Sequence, residues 1–229
     1  MQPTQSQYWF LSQQSLFESL GEADLNQLCW ISAYKEAKKG EIIYFSDQSI
    51  DRFYLVKKGR IKIAYFDQSG SEVVSEILKE GDIFGELTLQ PSENTNHEFA
   101  QAISAEVSIC SFLIEPFREI LSKRPDMAIK FSKMVGDKLK IISTRYADLV
   151  FKDARTRIIN FFRLHAQHEG RKVGESVVIN MFMTHQDIAD FTGSSRQTVT
   201  TIINQLEAEG KLKFDGRKRL LIPDIGLLK

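Results

Sequence analysis

The chain has little cysteine and no long hydrophobic run. Its two cysteines, Cys29 and Cys110, lie far apart in apolar surroundings. A disulfide framework or a zinc knuckle needs more partners, so we expect both thiols to be small buried side chains. No run of about 18 apolar residues is present, and the Gln- and Ser-rich N-terminus lacks the features of a secretory signal. The sequence therefore predicts a cytoplasmic protein with no membrane-spanning segment.

The chain also lacks a net charge, because 30 Lys+Arg balance 30 Asp+Glu. This balance hides an uneven distribution along the sequence. Residues 1–149 hold 17 basic against 21 acidic side chains, net −4, whereas residues 150–229 hold 13 against 9, net +4. A basic C-terminal third can approach a polyanion such as a nucleic acid.

The first half of the chain has mainly the period-two hydrophobic pattern of β-strands. Before the strands, we expect an amphipathic helix over residues 22–37. Strands are then predicted at 41–45, 53–56, 60–66 and 72–78, with a further block at 99–114. Each of the first turns contains a glycine, and residues 90–96 are polar enough for a loop. The pattern indicates a sandwich or roll of about eight strands.

A long helix is predicted from Pro125 to about Phe151. Apolar residues recur along it at intervals of three and four, which is typical of a helix that pairs with a second helix. We expect this stripe to form a homodimer contact; the alternative is a helix that packs on its own sheet. The expected contact residues are Phe131, Val135, Leu139, Ile142, Tyr146 and Leu149.

The C-terminal third contains the spacing of a helix-turn-helix followed by a hairpin. Thr184 and Asp187 predict a capped helix start, and Ala189 and Gly193 fit a close approach of two helices and the turn between them. Ser194 or Ser195 would cap the second helix, whose polar side chains could read bases in the major groove. Basic residues of the hairpin could contact phosphates. The expected DNA-binding residues are Thr184, Ser194, Ser195, Arg196, Gln197, Thr198, Thr200, Thr201, Lys213, Arg217, Lys218 and Arg219.

This order of a roll, a long helix and a winged helix-turn-helix resembles the CRP/FNR family of bacterial transcription regulators. The most specific local motifs are residues 81–87 in the roll, Asp153-x-x-x-Arg157-Ile158, and residues 195–199. The resemblance implies an α+β fold with three parts. They are an N-terminal β jelly roll with flanking helices as the sensor domain (1–124), a dimerisation helix (125–151) and a winged helix-turn-helix (152–229). It also implies a homodimer on a palindromic DNA site, and contacts with RNA polymerase if the protein is an activator.

The resemblance places an effector pocket at Gly85, Glu86, Leu87, Asn96, His97, Ile142 and Ser143. In the cyclic-AMP-binding members an Arg-Ser or Arg-Thr pair holds the phosphate, and here the aligned pair is Asn96-His97. Without that Arg the phosphate loses a charge-assisted contact worth roughly 1.5–3 kcal/mol. We therefore predict that cyclic AMP is not the effector.

Other cofactors also find little support in the sequence. An iron-sulfur sensor needs four cysteines, which excludes a cluster. Haem remains open through His97 or Cys29, and we expect no metal site and no required cofactor.

Two alternative functions belong to other functional classes. A jelly-roll enzyme of the cupin type needs clustered His ligands, and this roll contains only His97, so we do not expect an enzyme. A nucleotide- or haem-sensing regulator that acts through protein partners is the second alternative. The basic hairpin and the polar second helix favour DNA instead.

Overall fold

The structure is a computed structural model that describes residues 5–45, 51–68, 70–89, 98–181, 183–216 and 219–228. The chain separates into two compact units, Met1–Ile141 and Ile142–Lys229, whose border falls inside one long helix. Across the described ranges, no helix combines the length and the apolar composition that crossing a lipid bilayer requires.

The first unit contains an antiparallel roll of two four-stranded sheets. One sheet has the order β1-β8-β3-β6 and the other the order β2-β7-β4-β5. The strands are β1 (Ser32–Lys38), β2 (Ile42–Phe45), β3 (Arg52–Lys58), β4 (Ile61–Phe66), β5 (Glu72–Leu78), β6 (Ile83–Gly85), β7 (Phe99–Ala102) and β8 (Glu106–Leu113). The expected eight-stranded roll is confirmed for the described residues, although the block at 99–114 divides into two strands. The loop expected at 90–96 lies outside the described residues.

The sheet that contains β3 and β8 is buried on both faces. Val56 and Ile109 pack in the core of the roll, whereas Phe53 and Phe112 face a second core formed with helices. Phe53 and Phe112 stack with their ring centroids 4.8 Å apart. Six successive residues of β8 are therefore buried, and the two polar ones among them, Ser108 and Ser111, are small.

Four helices of the first unit cover the outer face of that sheet. They are α1 (Gln5–Ser12), α2 (Glu22–Ile31), α3 (Ile114–Lys123) and the N-terminal part of α4 (Pro125–Phe151). Cys29 and Cys110 are buried free thiols in this core, as expected, and burial raises the pKa of Cys110 to about 12. The sequence did not predict α1.

The helix expected over residues 22–37 ends earlier, at Ile31. Ser32 has an extended backbone, and its hydroxyl donates to the Cys29 carbonyl at 3.1 Å. From there the chain forms β1, which pairs with β8 along its whole length. The prediction was wrong because β-sheet pairing with a distant strand outweighs the local helical pattern.

The long helix α4 confirms the predicted span, but one of its expected dimer contacts is wrong. Phe131 is only 4% exposed and packs edge-on against Phe53 and Phe117 of its own chain. Val135 is half-buried against the same core. The N-terminal half of α4 therefore packs on its own unit, as the alternative interpretation expected for the whole helix.

The second unit combines helices with a small four-stranded sheet of order β11-β12-β10-β9. Its helices are the end of α4, α5 (Ala154–Glu169), α6 (His185–Thr192) and α7 (Arg196–Ala208). Its strands are β9 (Arg171–Val173), β10 (Ser176–Asn180), β11 (Lys213–Asp215) and β12 (Arg219–Ile222), followed by a short 3-10 helix, Ile225–Leu227. One apolar core joins α5, α6, α7 and the sheet.

Candidate nucleic-acid interface

Helix α6 begins at the capping box that the sequence predicted. The backbone N–H of Asp187 donates to the Thr184 hydroxyl at 3.1 Å, and the Asp187 carboxylate accepts from the Thr184 backbone N–H at 2.6 Å. Both groups satisfy amides that the first turn leaves without helical partners. The cap fixes where α6 begins.

The turn after α6 has the conformation expected of a helix-turn-helix. Gly193 has φ 58° and ψ 43°, the left-handed region that disfavours side chains. Ala189 is fully buried, so α6 and α7 approach closely. Arg157 of α5 binds the turn directly. Its guanidinium donates to the Thr192 carbonyl at 2.7 Å and to the Gly193 carbonyl at 2.9 Å.

The motif that includes Arg157 therefore has a structural role. Asp153 caps α5 by accepting from the Thr156 backbone N–H at 2.7 Å, and this hydrogen bond lowers the pKa of the Asp153 carboxyl. Ile158 is fully buried in the core. The motif joins the start of α5 to the turn between α6 and α7.

Helix α7 presents a polar face that its own packing leaves exposed. Ser195 is its cap, with the hydroxyl accepting from the Thr198 backbone N–H at 3.0 Å, whereas Ser194 precedes the cap and is half-buried. The opposite face packs in the core through Val199, Ile202, Ile203 and Leu206. Arg196, Gln197 and Thr201 are exposed at the N-terminal end of the helix. Side chains of these types recognise base edges in the major groove.

Two of the expected reading residues have hydroxyls that bind within the protein. The Thr198 hydroxyl lies 2.8 Å from that of Ser195. The Thr200 hydroxyl donates to the Arg196 carbonyl at 2.9 Å and lies 2.9 Å from Nδ1 of His185. His185 of α6, which the sequence analysis did not single out, thus contacts α7 beside its exposed face. Only the packing of two helices reveals such a contact.

The hairpin after α7 is the small β-element that the sequence predicted. Lys213 is exposed on β11, and Arg219 on β12 forms an exposed ion pair with Asp215 at 3.3 Å. Glu207 of α7 accepts from the Phe214 backbone N–H at 2.9 Å, so the hairpin is attached to α7. Arg217 and Lys218 lie outside the described residues.

Helix α7 is also held at its C-terminal end. Arg155 of α5 donates to the side-chain oxygen of Gln205 at 3.0 Å and to the Glu209 carboxylate at 2.6 Å. Hydrogen bonds from Lys211 and Arg155 lower the pKa of Glu209. Contacts at both ends therefore hold the exposed face in one orientation.

The expected effector pocket is only partly described. Gly85 has φ 86°, and a Cβ there would overlap the Tyr54 ring. Glu86 accepts from the Thr88 backbone N–H at 2.9 Å, and Leu87 packs against the core with the helices. Ile142 and Ser143 are exposed on α4 in the second unit, and Asn96 and His97 lie outside the described residues. Among the described residues no cluster of three or more potential metal ligands occurs.

The later part of α4 exposes apolar side chains at helical spacing. Leu139 is 62% exposed, Ile142 51% and Tyr146 70%. Leu149 and Val150 are about half exposed. Apolar side chains at intervals of three and four on one helix face are typical of a contact with another helix.

Comparisons with protein families match both units. The family model described as cyclic nucleotide-binding domain matches residues 34–124, and the model described as Crp-like helix-turn-helix domain matches residues 156–229. Together these matches span most of the chain.

Individual proteins show the same likeness along most of their length. The global nitrogen regulator of Synechococcus elongatus is 26% identical over 82% of this chain and 84% of its own. The cAMP-activated global transcriptional regulator CRP of Salmonella typhimurium is 26% identical over 80% of this chain and 86% of its own. The structure of a CooA variant from Carboxydothermus hydrogenoformans has a TM-score of 0.76 and 27% identity, and covers 93% of this chain and 92% of that one.

Proposed function

The chain belongs to the CRP/FNR family of transcription regulators, and from that premise we propose that it regulates transcription as a homodimer on a palindromic DNA site. Two copies of α7 would enter successive major grooves, with half-sites about one helical turn apart. The hairpin would add phosphate contacts through Lys213, Arg217, Lys218 and Arg219. DNA as the ligand implies a cytoplasmic protein, and an activator would also contact RNA polymerase.

One observation carries this proposal: the exposed polar face at the start of α7. Arg196, Gln197 and Thr201 are exposed there, while the cap at Ser195 and the buried face of α7 fix their direction. Arg donates two hydrogen bonds to guanine, Gln pairs with adenine, and Thr offers a hydroxyl and a methyl group. Many members of the family have an acidic residue, which accepts from cytosine, at the position of Gln197. We therefore expect a half-site that differs from the family's common half-sites, TGTGA and TTGAT.

The effector, if one exists, is not cyclic AMP in this proposal. Some relatives carry names that state activation by cyclic AMP, but this chain has Asn96-His97 where the phosphate-binding pair aligns. In the cyclic-AMP-binding members, the glutamate that aligns with Glu86 holds the ribose. Here the Glu86 carboxylate accepts hydrogen bonds from the backbone N–H and the hydroxyl of Thr88. The pocket residues therefore favour a different ligand or none.

A selection from random double-stranded DNA tests the proposal, with the purified protein alone and with a panel of nucleotides and haem. We expect one palindrome to be enriched. The Arg196→Ala variant should lose about 1–3 kcal/mol of discrimination at one base position of each half-site. Arg171→Ala is the matched control, because Arg171 is exposed on β9, at the sheet edge opposite the hairpin.

The outcomes separate the alternatives. Enrichment with only one ligand would identify the operator and the effector together, whereas enrichment without ligand would indicate constitutive binding. If no DNA were enriched under any condition, the DNA-binding proposal would fail in favour of a regulator that acts through protein partners.

A further inference from the structure

The last turns of α4 pack directly on the helix-turn-helix of the same unit. The guanidinium carbon of Arg145 lies 3.7 Å from the centroid of the Phe191 ring, and Arg145 donates to the Phe191 carbonyl at 3.4 Å. Phe191 belongs to α6, two residues before the turn. A stacked guanidinium with a hydrogen bond to the same residue fixes both distance and direction.

Neighbouring contacts strengthen this attachment. Leu149 lies over Gly193, since a Cβ built on that glycine would overlap the Leu149 side chain. The side-chain amide of Asn160 in α5 donates to Asp148 at 3.1 Å. Arg157 donates to the carbonyl of Lys152, just after α4, at 2.6 Å, and also to the turn. The end of α4 and the helix-turn-helix are therefore one packed body.

A different face of the same helix end stays exposed. Tyr146 and Val150 lie about 100° and 140° around the helix from Arg145, and Ile142 about 60°. All three are at least half exposed. Arg145 and Leu149 are one helical turn apart, and Leu149 lies at the border between the two faces. The face of α4 available for pairing with a second chain thus lies beside the face attached to the DNA-reading helices.

We propose that the contact between Arg145 and Phe191 determines which half-site spacing the dimer accepts. This inference rests on the proposed function, a dimer that binds a palindrome. If two copies of α4 pair through the exposed face, each carries its α7 at a distance and angle that this contact fixes. Arg145 is then a positioning residue that touches no base.

The geometry of DNA makes spacing a sensitive readout. One additional base pair moves a half-site by about 3.4 Å and rotates it by about 34–36° around the axis. A rigid attachment cannot follow such a displacement without strain, whereas a loose one can. One cation-π contact is worth about 0.5–2 kcal/mol, which corresponds to a factor of about two to thirty in an equilibrium constant. Its loss can therefore change the ratio of affinities for two spacer lengths by up to that factor.

The experiment is a second selection, from a library that keeps the enriched half-sites and varies the spacer by up to about three base pairs in each direction. The wild-type protein should enrich one spacer length. Arg145→Ala should keep the half-site sequence and reduce the preference for that spacer by about three- to tenfold. Phe191→Leu should have the same effect, and the double variant should add little to either.

Two further variants separate positioning from general destabilisation. Arg145→Lys keeps the charge but not the planar stacking, so we expect an intermediate spacer preference. Asp224→Ala removes the side chain that accepts from the Gly226 backbone N–H at 2.7 Å and caps the short 3-10 helix of the same unit. It should lower the melting temperature and leave the spacer preference unchanged.

The results distinguish a failure of this inference from a failure of the proposed function. An Arg145→Ala variant that folds and keeps the wild-type spacer preference would overturn it, and so would an equal loss of that preference in Asp224→Ala. If Arg145→Ala did not fold, Arg145→Lys and Phe191→Leu would decide in the same way. Failure of the wild-type protein to enrich any palindrome would contradict the proposed function itself.

Discussion

Gly193 meets two requirements at once, one of the backbone and one of packing. Its φ of 58° is left-handed, and a Cβ would overlap Leu149. We expect Gly193→Ala to cost about 1–2 kcal/mol for the backbone alone, and a further cost for the overlap. Gly216→Ala is the matched control, because Gly216 has φ 70° and no described atom beyond its chain neighbours lies within 4 Å of the added carbon.

Urea unfolding of the two variants measures the difference. Gly193→Ala should lower the free energy of unfolding more than Gly216→Ala, and adding Leu149→Ala should recover part of the excess. Equal losses in the two glycine variants would show that Leu149 does not press on the turn.

Single residues were predictable where their role depends on near neighbours in sequence. Thr184 acts within three residues, and the turn at Gly193 follows from the conformational freedom of glycine, so the sequence identified both. It narrowed the cap of α7 to Ser194 or Ser195, of which Ser195 is the cap. The contact of His185 with Thr200 spans 15 residues, and that of Arg145 with Phe191 spans 46. These contacts depend on how helices pack, which periodicity does not specify.

At the scale of elements, α4 has two parts with different partners. Its first turns bury Phe131 in the core of the first unit, and its later turns expose Leu139, Ile142 and Tyr146. An apolar stripe in sequence shows that a face is covered but not by what, so the prediction assigned Phe131 to the wrong contact.

The exposed part of α4 gives a prediction for self-association. Tyr146→Glu should raise the dimer dissociation constant by at least about tenfold, because two like charges would meet across the paired helices. Ile141→Glu is the control, because Ile141 is also exposed but lies about 140° around the helix from Tyr146. Sedimentation equilibrium measures both, and equal effects, or none, would contradict pairing through this face.

At the scale of the whole molecule, the order of roll, long helix and winged helix-turn-helix was predictable because hydrophobic period and turn residues change at each border. The effector was not, because a pocket is assembled from separate segments and a few side chains decide its chemistry. Asn96 and His97 are such side chains, and their identity is the strongest sequence argument against cyclic AMP.

That argument leads to a measurement on the intact protein. A ligand at 100 times its Kd stabilises the folded state by about 2.7 kcal/mol, which would raise the melting temperature by a few degrees. We expect cyclic AMP at about 1 mM to produce no such shift, because Asn96-His97 stand where the phosphate-binding Arg pair aligns and Glu86 binds Thr88. The double variant Asn96→Arg, His97→Ser restores the aligned pair and should gain a shift. A clear shift in the wild-type protein would show that the phosphate is held by other groups, and the effector proposal would then be wrong.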